Sequence, residues 1–438
     1  MQPAKMKPCR GLAVLGIACG LFHLLVGLQY ATHFTSQALH PSLTASGDAY
    51  LASFPSWNTE NEQDVAGFNR AALSILAHGL PYSRGGTLVL RTVVYSYFVA
   101  GCYAVGGIRL LPIAIAQAIA SGLTCWILTL ATSRLFPRSA MAPWIAGGLY
   151  LVNVRVGMYV GYVEPPIPTL LFMAIALWTT THLTGRWPIV WLVASLVLAT
   201  YASSTFFVVA TAGALWLLLR RRSVAGCLVI VSFVALKFAL TWSNAAGNAT
   251  EPNREADRGG IFWLSNNPYY EEMRPWSLWE WRTSNQWSTW KMSEEEHDRY
   301  ASYLNRAGQN GLRAALLWIR ENPGRYLSVC LARLRTEFGP YTGEMSPRNR
   351  LISTVVWLLI FPAGLYGLWQ SRGNMSAQFA LFVLIAEFTF ATFITEEPYL
   401  RYRLPVDLLL TAFAGFSYDH WLNRRATVET NLKTPGPS

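Results

Sequence analysis

Long apolar runs constrain this chain more than any other feature. They fall near 11–32, 88–107, 111–133, 140–160, 165–184, 188–220, 224–242, 351–370, 377–395 and 404–421. Several reach the roughly 20 residues that a helix needs to cross a bilayer. In hydrocarbon the backbone must satisfy its own hydrogen bonds, and unbroken apolar runs do so as helices. The chain is therefore expected to be an all-α polytopic membrane protein of about 10–12 transmembrane helices. The run 188–220 reads as two short helices or one bent one. With 13% charged and 52% hydrophobic residues, a soluble domain is excluded, since such domains carry about twice that charge. The net charge of +11 follows from basic cytoplasmic loops and anionic headgroups, with no nucleic acid implied.

The runs give four parts. Residues 1–242 form an N-terminal transmembrane module that includes a first extracytoplasmic loop, 33–87. Residues 243–350 form a Trp-rich extracytoplasmic loop, and 351–421 the C-terminal transmembrane helices. The polar tail 422–438 is expected to be a disordered cytoplasmic segment. Lys5, Lys7 and Arg10 precede an apolar run with no small-residue cleavage site, so an uncleaved first helix is expected. Basic clusters at Lys5–Arg10, Arg220–Arg222, Arg372 and Arg424–Arg425 mark the cytoplasmic side. They place 33–87, 243–350 and 396–403 together on the opposite face. Arg109, Arg134, Arg138 and Arg155 leave the number of crossings between 88 and 220 open, with a re-entrant or half-spanning segment among the choices. The six cysteines are scattered without a CxxC pair, so neither a zinc site nor a disulfide framework is read from them.

The second loop contains its own helices. Ser293 and Glu296 have capping-box spacing, and Leu312, Ala315, Leu316 and Ile319 supply an apolar stripe. Asn322 and Pro323 then restart a helix as cap and first residue. The preceding "GGIFWLSNNPYYEEMRPWSLWEWRTSNQWSTW" is dense in tryptophan, which favours the membrane–water boundary.

Several polar residues stand out against this background. Asp64 opens a helical pattern in which Phe68, Ala72, Leu73 and Leu76 share a face. Its ordinary role would be to complement a helix dipole. Glu164, in "YVGYVEPPIPTLLF", lies between two apolar runs, where an acid marks either a functional site or an ion pair. Arg155 is its nearby structural partner. Lys237 and Glu387 lie within apolar runs and carry no assigned chemistry. "EEPYLRYRLPVDLLL" places Arg401 and Arg403 on the outer face, against the positive-inside bias. A guanidinium fork matches phosphate oxygens, with hydroxyls from Tyr399 and Tyr402 nearby. Mutual neutralisation by Glu396 and Glu397 is the competing account.

In this order the motifs resemble the bacterial GT-C glycosyltransferases, the protein mannosyltransferase (glycosyltransferase family 39) and lipid A aminoarabinose transferase groups. "RYRLP" at 401–405 is similar to their C-terminal signature. Asp64, Phe68, Ala72 and "AHGLPY" at 77–82 resemble their first-loop acid and "GxPY". "FWLSNNPYY" resembles a "GNNP" element, and "WIRENPGRYLSVCLARLRTEFGPY" their "PxxYxxLxxxK" helix.

The resemblance implies a GT-C type bundle with extracytoplasmic juxtamembrane helices. It implies a hexosyl- or pentosyltransferase moving a sugar from a polyprenyl-phosphate donor to a hydroxyl of a glycan, lipid or protein acceptor. The locale implied is the outer face of a bacterial plasma membrane, among membrane lipids. Asp64 would be the general base, with Glu164 as a second acid. Arg401, Tyr402, Arg403, Tyr82 and Asn267 would bind substrate, the arginines stabilising the departing phosphate. Attack opposite that phosphate would invert the anomeric centre. The chain departs from the pattern at Gln63–Asp64, where relatives carry paired acids. It has no DxD pair, so no cofactor is implied and a divalent metal is left open. A transporter or flippase would place charge mid-membrane within pseudo-repeats, which are not seen; a polymerase or ligase of lipid-linked saccharides shares the chemistry.

Overall fold

The computed structural model describes residues 9–35, 65–81, 92–183, 185–203, 207–220, 222, 224–232, 234–235, 262–263, 266–267, 294–308, 310–340, 347–393 and 400–433. These residues form helices joined by turns, with no strand among them. Four helices contain stretches long and apolar enough to cross a bilayer: Arg10–Gln29, Leu110–Leu135, Arg350–Gln370 and Met375–Phe393. Shorter apolar helices accompany them at Val93–Gly106, Pro166–Thr180, Arg186–Ala202 and Phe207–Leu219. The chain is an all-helical integral membrane protein.

It separates into two compact units. The first comprises Met1–Ser243, Val355–Leu384 and Leu404–Ser438; the second comprises Asn244–Thr354 and Ile385–Arg403.

In the first unit, α1 (Cys9–Thr35) packs along α4 (Leu110–Leu135). Small residues allow it: a Cβ on Gly16 would lie 2.9 Å from the Gly122 carbonyl, and one on Gly20 2.8 Å from that of Ala118. Without a hydrophobic force between helices in lipid, such close backbone approach carries the packing. The helices α2 (Val65–His78) and α3 (Val93–Gly106) cover one another. Gly79 ends α2 at φ 76°, its N–H bonded to the Ile75 carbonyl at 2.8 Å, a left-handed stop suited to glycine. The expected face of α2 is rotated. Phe68 and Ala72 are buried, but Leu76 is 44% exposed, and Ala71 takes a place inside.

The expected single run 140–160 is two helices, α5 (Ala142–Leu151) and α6 (Val154–Val160). Asn153 at the break has ψ 84° and no side-chain capping bond. His23 of α1 stabilises the break. Its Nε2 sits 3.0 Å from the Leu151 carbonyl and must donate to it, so Nδ1 accepts from the Ser121 hydroxyl at 2.7 Å. The helix α7 (Pro166–Thr180) follows, and the run 188–220 resolves into α8 (Arg186–Ala202) and α9 (Phe207–Leu219).

In the second unit, α10 (Glu294–Arg306), α11 (Gly311–Glu321) and α12 (Pro323–Glu337) appear where they are expected. Asn322 ends α11 and begins α12, with Pro323 at the first position. The apolar stripe of α11 differs from expectation: Gly311, Ala314, Ala315 and Trp318 are buried, while Leu312 and Leu316 are exposed. Three of the four buried positions are small, which lets the helix sit close to its neighbours. Trp263, expected at a membrane boundary, is instead core, packed with Tyr300, Tyr303 and Trp318.

Helices α13 (Pro347–Gln370), α14 (Met375–Phe393) and α15 (Leu400–Lys433) end the chain. The last continues to Lys433, so the tail from 422 is helical over most of the stretch expected to be disordered. Gly364 and Gly367 of α13 back onto Leu410 and Phe413 of α15. The interior Pro362 of α13 leaves a carbonyl without its usual N–H donor. Nearby carbonyls receive side-chain hydroxyls instead, Ser417 to Ala363 at 2.7 Å and Tyr418 to Leu359 at 3.0 Å.

Candidate functional site

Several buried polar groups of the first unit lie around α6. Arg155 and Glu164 are 3% and 8% exposed. Arg155 Nη1 lies 3.2 Å from Asp407 Oδ2 of α15, with side chains 4% and 6% exposed. The sequence offered Arg155 as a partner for Glu164; the pairing to Asp407 is a long-range one that spacing could not suggest. An ionic pair in this setting fixes two helices to each other, because neither charge can be left alone in a low dielectric.

Glu164 is placed by four local constraints. Pro165 disfavours the helical region at Glu164, and Pro166 begins α7. Gln117 of α4 points Nε2 at the end of α6, 2.6 Å from the Tyr162 carbonyl and 3.2 Å from that of Val160. Gly161 lies against Gly27 of α1, where a Cβ on Gly27 would come 2.7 Å from the Gly161 nitrogen. Finally, Val163 is buried in one cluster with Phe68 and Ala72 of α2 and Tyr95 and Tyr103 of α3. The helix that follows Asp64 and the turn that carries Glu164 thus share a core. On α2, Asn69 is buried and its Oδ1 accepts from the Tyr103 hydroxyl at 2.5 Å.

Among its described residues the second unit carries two buried guanidinium groups. Arg403, in the first turn of α15, is 1% exposed and Nη1 donates to the Gly339 carbonyl, just past α12. Arg333 of α12 is also 1% exposed; its Nη1 is 3.2 Å from Asn266 Oδ1 and 3.4 Å from the Thr392 carbonyl at the end of α14. A cation there complements the negative end of α14. Both arginines therefore attach to the C-terminal end of α12. In the "NN" motif, Asn266 is the residue that meets Arg333, while Asn267 donates Nδ2 to the Trp263 carbonyl at 3.1 Å.

Asp64 and Tyr82 lie outside the described residues, as do Glu396 and Glu397 and the side chains of Arg401 and Tyr402. Sequence reasoning overlooked Asp407, Arg333, Gln117 and Asn266. Asp407 had a signal, an acid three residues into an apolar run. Arg333 stands at the Lys position of the "PxxYxxLxxxK" pattern and was readable there. Among the described residues no three His, Cys, Asp or Glu side chains gather as a metal site.

No family model and no curated protein matches the chain. Similar solved structures include the archaeal oligosaccharyltransferase AglB from Archaeoglobus fulgidus, in complex with an inhibitory peptide and a dolichol-phosphate. That likeness has a TM-score of 0.47 at 12% identity, over 96% of this chain and 52% of the other. Another is ArnT from Cupriavidus metallidurans bound to undecaprenyl phosphate, with a TM-score of 0.39 at 11% identity, over 93% of this chain and 78% of the other. This chain spans about half the length of the oligosaccharyltransferase, 52% of it. The scores are low, and the functional reading rests on the chain's own residues.

Proposed function

We propose that this protein is a GT-C type membrane glycosyltransferase that moves a sugar from a polyprenyl phosphate to an acceptor hydroxyl, with inversion. The observation that carries the reading is the burial of Arg333 and Arg403 at one end of α12. Their bonds to Gly339, Asn266 and Thr392 hold the two guanidinium forks in place. A lipid phosphate is the anion suited to such forks beside a membrane helix, and its charge grows as the sugar departs. Arg401 and Tyr402 extend the same segment, and Tyr82 and Asn267 complete the proposed substrate contacts. Asp64 is the proposed general base, its following helix seated in one cluster with the neighbour of Glu164. The proposed site faces the extracytoplasmic side of a bacterial plasma membrane, and the transferred group is a hexose or pentose.

The test is direct. Purified protein supplied with polyprenyl-phosphate sugars should release polyprenyl phosphate, and Arg403→Ala should weaken donor binding while Arg403→Lys retains part of it. A folded Arg403→Ala protein with undiminished donor affinity sinks the phosphate role. Undiminished turnover by Asp64→Asn sinks the base.

A further inference from the structure

Asn69 of α2 is 1% exposed, and its amide is matched on one side. Oδ1 accepts from the Tyr103 hydroxyl of α3 at 2.5 Å, while among the described residues no partner reaches Nδ2. That nitrogen carries two N–H donors. A buried donor left unmet opposes folding, so packing alone does not account for an amide at this position. The Tyr103 bond gives it a fixed direction, because holding Oδ1 also sets the plane of both N–H groups. The surroundings narrow what it can serve. Phe68, beside it in the chain, clusters with Tyr95 and Tyr103 of α3, Leu110 of α4 and Val163, the neighbour of Glu164, all of them uncharged. Helix α2 buries its first half: Phe68, Asn69, Ala71 and Ala72 lie inside, whereas residues 76–80 are exposed. Asn69 therefore belongs to the half nearer the proposed base Asp64, five residues earlier.

From this amide we infer that Asn69 is a specificity-determining residue of the transferase: Nδ2 donates to a hydroxyl of the transferred sugar, and Tyr103 holds the amide in place for it. The inference rests on the transferase reading above and adds the group that recognises the sugar. A neutral amide in uncharged, ring-lined surroundings matches a neutral hydroxyl, whereas a phosphate suits the arginine forks. A site built to donate to a substrate hydroxyl discriminates against ligands that lack it, since its buried donor then stays unpaired.

The test measures the affinity of the full chain, in lipid nanodiscs, for farnesyl phosphate and for its glucose, mannose and arabinose phosphodiesters. The parent should bind at least one sugar-bearing probe more tightly than farnesyl phosphate itself. Asn69→Asp keeps the acceptor for Tyr103 and loses the donor, and Asn69→Leu loses both. Each should cut the gain due to the sugar by about 2- to 10-fold, the worth of one hydrogen bond, with affinity for bare farnesyl phosphate retained. Tyr103→Phe, which frees the amide to turn, should cut the gain by a smaller factor. An undiminished gain in both Asn69 variants overturns the inference, as does a parent that gains from none of the three sugars. Equal weakening of bare and sugar-bearing probes also overturns it, since that outcome makes Asn69 a structural residue. Failure of the transferase reading looks different: the parent then binds bare farnesyl phosphate no better than Arg403→Ala does.

Discussion

Arg155 and Asp407, 252 residues apart in sequence, form an ion pair of 3.2 Å with both side chains buried. The pair joins a seven-residue helix, α6, to the last helix of the chain. Removing one partner breaks a buried pair. Asp407→Ala should therefore cost about 3–5 kcal/mol, seen as a lower unfolding midpoint in detergent. The double variant Arg155→Met, Asp407→Leu should recover most of that loss. Equal instability of the single and double variants would show that the pair holds little.

Gly161 presses on Gly27 of α1 with no room for a side chain, whereas Gly148 has nothing within 4 Å of a built Cβ. Gly161→Val should destabilise by about 1–3 kcal/mol, the usual cost of overpacking. Gly148→Val should change little. Because Gly161 precedes Glu164 in the same turn, the transferase assay should fall with stability in the first variant and hold in the second.

Gln117 ties the carbonyls of Tyr159, Val160 and Tyr162 to α4. Replacing it by leucine removes the donor and leaves buried acceptors unmet, a cost of about 1–3 kcal/mol. Hydrogen exchange should show faster opening of residues 159–164, with α10 to α12 unaffected.

Burial pushes the Tyr326 phenol up to about 12, and Cys330 beside it adds to the effect. The neutral phenol is the favoured folded form. Its contribution is thus complete below the ordinary tyrosine value of about 10 and is lost as pH rises from there to about 12. An unfolding midpoint followed through that window should decline less steeply in Tyr326→Phe than in the parent. Parallel declines would remove Tyr326 as the cause.

The class of fold was legible because runs such as 111–133 have one physical solution in hydrocarbon, and the structure has a helix at Leu110–Leu135. The start of α12 was legible as well: Asn322 and Pro323 mark it within two residues, although the Asn322 side chain makes no capping bond, and Ser293 of the other expected cap lies outside the described residues. The break in 140–160 was not. "YLVNVRVGMY" contains no proline or glycine at the break itself, and the break is stabilised by His23, more than a hundred residues earlier. Helix faces failed at Leu76, Leu312 and Leu316 because smaller neighbours, Ala71 on α2 and Gly311 and Ala314 on α11, take the buried positions and leave the leucines exposed. Glu164 and Arg403 stood out as charged residues in apolar surroundings, and both are buried. The pairings of Asp407 and Arg333 needed the fold to reveal them, since their partners lie 252 and 67 residues away.

The division of 140–160 also sets a height. At 1.5 Å per residue, α7 is about 22 Å long and α6 only about 10 Å, against a hydrocarbon slab of about 30 Å. Neither bridges it upright, and tilting shortens their reach further. Both helices are instead enclosed by protein, with most of their residues buried, the setting in which a backbone break at membrane depth is tolerated. The joint that carries Glu164 is thereby kept from the acyl chains by its own neighbours.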